Sequence, residues 1–120
     1  MKKILIFGTG STGYRIYTEI KDIVEVIGFL DNDESKWGQM VDGIKILGNA
    51  ESILEMEYDE ILICSLPGLN IIREQLIDVG IPLAKINSSY IEVQVLARLN
   101  FLRDYAFSCV YKEDDTYAVA

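Results

Sequence analysis

The sequence predicts an α/β domain whose sheet is mostly parallel and carries helices on both faces. Three observations make that prediction. Short apolar runs alternate with amphipathic stretches over residues 3–87, the pattern of fully buried strands joined by crossover helices. The first run, ILIF, leads straight into Gly8, Gly10 and Gly13, and an amphipathic stretch follows at once. The second run stops at the acidic turn Asp31-Asn32-Asp33, which places a carboxylate 23 positions after Gly8.

Each element follows from its own residues. KKILIFG is a short apolar run ending in glycine and reads as a strand. From Ser11 to Val24 the apolar positions Tyr14, Ile16, Tyr17, Ile20, Ile23 and Val24 recur with a period near 3.6, which marks an amphipathic helix. VEVIGFL is β-branched and apolar and gives a second strand. Asp42-Gly43 is a turn signal, and Ile44–Leu47 makes a short third strand. NAESILEME opens on Asn49 as an N-cap and reads as a short helix. YDEILICSLPG is the fourth strand, closed by Pro67-Gly68. LNIIREQLIDVG is helical, with Gly80 where a C-cap is expected. IPLAKIN is the fifth strand, and beyond Ser88 the residues Ile91, Val95, Leu99, Leu102 and Ala106 fall at helical spacing. KEDDT then reads as a solvated loop and YAVA as an apolar fragment. Parallel strands need right-handed crossovers, so the expected architecture is a Rossmann-like three-layer sandwich with five strands in the order 3-2-1-4-5. Residues 1–88 form the nucleotide-binding domain in this reading, and residues 89–120 a C-terminal helix and linker.

Composition narrows the chemistry. A chain of 120 residues supports one core. The net charge is −8, concentrated in the second half, and no basic stripe exists to neutralise phosphates. Nucleic acid and acidic lipid are therefore unexpected partners. No run approaches the roughly 18 apolar residues of a membrane span, and ILIF is shorter than the 7–15 residues or so of a secretory core. The expectation is a soluble, cytoplasmic domain. There is no histidine, which removes the usual general base, the common nucleophile pairs and most zinc sites. Cys64 and Cys109 stand 45 positions apart without a CxxC motif, and Cys64, in mid-strand, reads as a small buried hydrophobe. No metal site and no catalytic residue is expected.

Gly8, Gly10 and Gly13 have the spacing Gly-x-Gly-x-x-Gly. The first allows the turn, the second lets backbone approach a pyrophosphate, and the third lets the helix pack on the strand. The helix N-terminus then presents free N–H groups and partial positive charge to a phosphate, and Thr9, Ser11 and Thr12 complete the loop. Asp31, with Asn32 beside it, ends the second strand where a carboxylate accepts from a ribose diol. Ser65 and Pro67 end the fourth strand, beside the first, where open α/β sheets bind ligands; the competing reading of that stretch is a plain Pro-Gly turn. The expected ligand is a small nucleotide, NAD(H) or a nucleotide sugar. Tyr17 and Lys21 share the Tyr-x-x-x-Lys spacing of short-chain dehydrogenases. They lie on the first helix, whose body leads away from the phosphate, so Tyr17 reads as core.

The phrases ILIFGTGSTGYRIY, VIGFLDNDESKWGQMVDGIKILG, DEILICSLPG and REQLIDVGIP resemble the small Rossmann-like N-terminal domain of bacterial sugar-modifying enzymes. Relatives of that kind include polysaccharide-biosynthesis nucleotide-sugar epimerases/dehydratases and sugar-nucleotide acetyltransferases. ARLNFLRDYAFSCVY followed by YAVA is similar to the entry segment of macrocin O-methyltransferase-like enzymes, with Arg98 and Leu102 on the helix before the S-adenosylmethionine strand. On that resemblance S-adenosylmethionine would belong only to a downstream domain, and the sequence ends before any methyltransferase active site. Neither family lends this chain a catalytic residue. The expected function is thus a non-catalytic nucleotide-binding domain of a longer sugar-modifying enzyme. The alternative is a ligand-free Rossmann-like module that dimerises through the C-terminal helix.

Overall fold

A computed structural model describes residues 1–89 and Ile91. Its strands are β1 (Lys3–Phe7), β2 (Glu25–Leu30), β3 (Met40–Val41), β4 (Ile44–Gly48), β5 (Glu60–Ile63) and β6 (Ile86–Asn87); its helices are α1 (Ser11–Ile20) and α2 (Leu69–Asp78). The sheet runs β3-β4-β2-β1-β5-β6. All neighbours are parallel except β3 and β4. The architecture is Rossmann-like.

The sheet has six strands where five were expected. The added one is β3, a two-residue edge strand that folds back antiparallel on β4, pairing Met40 with Lys45 and Val41 with Ile44. Asp42 and Gly43 both have positive φ, at 50° and 80°, which matches the twist of a two-residue hairpin. The remaining strands lie in the order β4-β2-β1-β5-β6.

Three boundaries also differ from the sequence expectation. The first helix stops at Ile20 rather than Val24; Lys21 caps it, and Ile23 is left exposed. The stretch after Asn49 is one 3-10 turn, Ala50–Ile53, rather than a helix. The Asn49 side chain does accept from Glu51 N–H, at 3.1 Å. The IPLAKIN segment is mostly another 3-10 turn, Leu83–Lys85, entered through Pro82, and only Ile86–Asn87 reach β5. Proline has no N–H to give a ladder, which favours a turn there.

Alternation along β1 sorts the core into two halves. Leu5 and Phe7 point to one face, with Leu30, Ile53, Ile61, Ile63, Ile72 and Leu76. Ile4 and Ile6 point to the other, with Ile16, Tyr17, Ile20, Phe29, Leu62 and Ile91. Helix α2 therefore covers one side and α1 the other, giving three layers. Tyr17 is buried and its ring meets Phe29 at 5.4 Å between centroids; it is core, as its position on an apolar face suggested. The rest of the C-terminal stripe, from Val95 to Ala106, lies outside the described residues, as do Arg98, Cys109 and the YAVA fragment.

Candidate functional site

The loop between β1 and α1 begins at Gly8. Its φ of 120° is a conformation that L side chains rarely adopt, and a Cβ there would come within 3.0 Å of the Cys64 carbonyl oxygen. Gly8 is thus fixed by its own turn and by the nearness of β5. Gly13 is fixed more severely. A Cβ at Gly13 would lie 1.9 Å from the Gly8 carbonyl oxygen, so the first turn of α1 sits directly against the loop that feeds it.

Gly10 differs from both. Its backbone (φ −76°, ψ −168°) suits any residue, and a Cβ there would meet nothing within 4 Å. Neither conformation nor packing requires glycine. Gly10 is the N-cap of α1, and no side chain caps that end, so no capping side chain fills the space beside the first turn, whose N–H groups have no partner within the helix. That space is a cavity of about 260 Å³ lined by Gly8, Thr9, Gly10, Ser11, Thr12 and Asp31, and closed on the far side by Cys64–Pro67.

A second cavity, of about 350 Å³, adjoins it and shares Gly8, Asp31, Ser65 and Pro67. Its remaining walls are Phe7, Asn32, Gly68, Ile71 and Ile72. Together the two lie at the C-terminal ends of β1, β2 and β5. This is where the chain turns to opposite sides of the sheet and where such sheets bind ligands. Ten sequence-predicted positions, Gly8–Gly13, Asp31, Asn32, Ser65 and Pro67, converge here, although Gly13 contributes as packing and lines neither cavity.

Asp31 is more engaged than its place in the sequence implied. Its Oδ2 accepts from Thr9 N–H at 3.1 Å and from Thr9 Oγ1 at 2.5 Å. Its Oδ1 accepts from Asp33 N–H at 2.8 Å, and Lys36 Nζ lies 3.8 Å from Oδ2. Partial burial pushes the carboxyl pKa up, but these donors and the lysine together outweigh it and hold Asp31 below its ordinary 3.8. The group is an anion at neutral pH. Its main-chain carbonyl accepts from Trp37 Nε1 at 2.7 Å.

Two neighbours, Trp37 and Gln75, escaped the sequence reading, and so did one contact of Thr9. Trp37 ties down the turn after β2. Gln75, on α2, accepts from Asn32 Nδ2 at 2.8 Å across 43 residues and so ties the turn after β2 to α2. Thr9 was placed in the loop, but its bond to Asp31 spans 22 residues and carries no local signal. Ser65 Oγ accepts from Gly68 N–H at 3.2 Å, which shapes the Pro67-Gly68 turn; Ser65 also lines both cavities. Cys64 is buried, and burial pushes its thiol up to about 12, so it is no nucleophile. Among the described residues no group of three potential metal ligands comes together, and no helix is long and apolar enough to cross a membrane.

Comparison with known proteins bears on the fold and the family. One solved structure, the UDP-D-quinovosamine 4-dehydrogenase of Vibrio fischeri, is 23% identical, covers 71% of this chain and 73% of its own, and superposes with a TM-score of 0.55. Another, RSP in complex with β-NAD+ and operator DNA, is 14% identical with a TM-score of 0.60. That match covers 97% of this chain and 63% of the RSP chain, so the chain spans less than two thirds of RSP's length. At these identities the likeness concerns the fold. No curated protein matches the chain. A family model described as "C2185-like, N-terminal" matches residues 1–87, and the chain therefore belongs to the C2185-like family through its N-terminal domain.

Proposed function

We propose that this chain is a non-catalytic nucleotide-binding domain of a longer sugar-modifying enzyme. In this reading the nucleoside diphosphate of NAD(H) or of a nucleotide sugar spans the two adjoining cavities. The observation that carries it is Gly10, a glycine that neither its backbone conformation nor any contact among the described residues requires, at a helix N-terminus without a side-chain cap beside a cavity. A phosphate there would receive the free N–H groups of α1 and its partial positive charge. Asp31 would face the ribose, and the apolar walls at Pro67, Ile71 and Ile72 suit the flat face of a base. One of the two similar solved structures is a UDP-D-quinovosamine 4-dehydrogenase and the other a complex with β-NAD+, which agrees with a nucleotide ligand of either kind. RSP's DNA partner does not carry over, because this chain has a net charge of −8.

The parent enzyme, an S-adenosylmethionine-dependent sugar O-methyltransferase or a nucleotide-sugar epimerase/dehydratase, is the finer part of the proposal. It rests on the resemblances above. S-adenosylmethionine would then bind a downstream domain and not this cleft. One observation favours the alternative of a ligand-free interaction module: Thr9 and Asp31 already close the loop on themselves. Calorimetry with NAD+, a UDP-sugar and S-adenosylmethionine separates the readings. Binding of either of the first two and not the third is expected, and Gly10→Val should abolish it. Equal affinity of wild type and Gly10→Val removes the cleft from consideration.

A further inference from the structure

We infer that the Thr9 hydroxyl is a built-in competitor for the ribose, and that Thr9 sets how strongly the cleft distinguishes ribose from 2′-deoxyribose; this rests on the nucleotide-binding reading above. The basis is a count of acceptor positions. An ionised carboxylate offers about four lone-pair sites, roughly two on each oxygen. On Asp31, Oδ2 already accepts from both Thr9 N–H and Thr9 Oγ1, so its capacity is used. Oδ1 accepts from Asp33 N–H, which leaves one site open. Lys36 sits on the Oδ2 side as well, at 3.8 Å.

A ribose cis-diol has two hydroxyls to donate, and a carboxylate that receives both needs room on each oxygen. Asp31 has room on one only. Of the two donors that fill Oδ2, the Thr9 N–H is part of the loop backbone and cannot leave without moving Gly8 and Gly10. The hydroxyl leaves by rotation about one side-chain bond. It is therefore the partner a ribose would have to displace. While it stays, the cleft holds the diol by a single hydrogen bond and discriminates weakly against its absence.

The test uses the full chain and matched ligand pairs: NAD+ with its 2′-deoxyadenosine analogue, and UDP with 2′-deoxy-UDP. Thr9→Val keeps the size of the side chain and the backbone N–H while freeing a site on Oδ2. A hydrogen bond to a charged group corresponds to roughly tenfold or more in affinity. The ribose-to-deoxyribose affinity ratio, measured by calorimetry, should therefore rise about tenfold in Thr9→Val and stay at the wild-type value in Thr9→Ser. An unchanged or smaller ratio in Thr9→Val, with both ligands still bound, overturns the competitor role and leaves nucleotide binding standing. If wild type binds neither pair, the nucleotide reading falls and the inference with it. Should circular dichroism show Thr9→Val unfolded, Thr9→Ala makes the same comparison. A second readout needs no ligand: the Asp31 carboxyl, followed by NMR titration, should titrate at higher pH in Thr9→Val than in Thr9→Ser. Identical titration in both would show that the hydroxyl does not engage Asp31 in solution, which also overturns the inference.

Discussion

Three glycines in one loop are glycine for three different reasons, and substitutions should separate them. At Gly13 an added methyl would overlap the Gly8 carbonyl at 1.9 Å, and backbone atoms cannot step aside as a flexible side chain does. Gly13→Ala should destabilise the domain by about 1–3 kcal/mol or more, read from a urea midpoint. At Gly10 the space is open, so Gly10→Val should leave the midpoint within about 0.5 kcal/mol of wild type while removing nucleotide affinity. Asp31 yields two more expectations. A carboxylate facing a ribose repels a 2′-phosphate, and like charges about 4 Å apart cost on the order of 1–4 kcal/mol. NAD(H) should thus outbind NADP(H) in a competition assay, and preference for NADP(H) would take Asp31 out of the site. Its pKa is lowered in the fold, so its contribution to stability is complete above its ordinary value of 3.8 and is lost as pH falls through the native value. Asp31→Asn should accordingly flatten the acid side of the stability–pH curve and leave the slope near neutrality unchanged.

At the scale of elements, much was legible because buried strands announce themselves. β1 is a continuous apolar run whose last four residues are all buried, and α1 buries Ile16, Tyr17 and Ile20 at the spacing its period implied. The failures have a common cause, which is that short elements are decided by turns. β3 has two residues and exists because Asp42 and Gly43 adopt left-handed conformations that bring Met40 and Val41 back to β4. Apolar content alone promised a strand through IPLAKIN, where Pro82 and a 3-10 turn intervene. The hairpin turn lies at the end of β4 away from the glycine loop. Gly43→Ala, which must hold a φ of 80°, should therefore cost about 1–2 kcal/mol in thermal or urea unfolding without changing nucleotide affinity. The candidate site divides the same way. The glycine spacing and Asp31 could be read because sterics and strand ends write them locally. Thr9 to Asp31 and Asn32 to Gln75 could not, since those partners meet only after the sheet has formed.

For the whole molecule, the decisive quantity is the coupling between ligand and fold. A ligand that binds only the native state stabilises it by about 2.7 kcal/mol at a concentration one hundred times its dissociation constant. A nucleotide-binding domain should show that gain in a thermal melt with excess NAD+ or UDP-sugar, and a ligand-free interaction module should show none. The C-terminal segment is a separate matter at this scale. Ile91, the first residue of the apolar stripe, is buried against the α1 side of the sheet, so the stripe begins as part of this core. If the later positions serve self-association, Leu99→Asp should shift the chain towards monomer in sedimentation while the thermal response to nucleotide persists.

Trp37 is the sole tryptophan of the chain, and its indole N–H is bonded to the carbonyl of the residue expected to meet the ribose. The protein consequently carries its own optical probe. Indole emission shifts with hydration and with nearby charge, and Trp37 is about one-third exposed, so it can sense both. Titrating an unlabelled sample with nucleotide should change the intensity or wavelength of that emission along a saturable curve. Thr9→Val and Asp31→Asn should start from different baselines, because each alters the charge or hydrogen bonding a few atoms from the indole. A single cuvette thereby reports occupancy, the state of the Asp31 carboxylate and the order of the turn after β2.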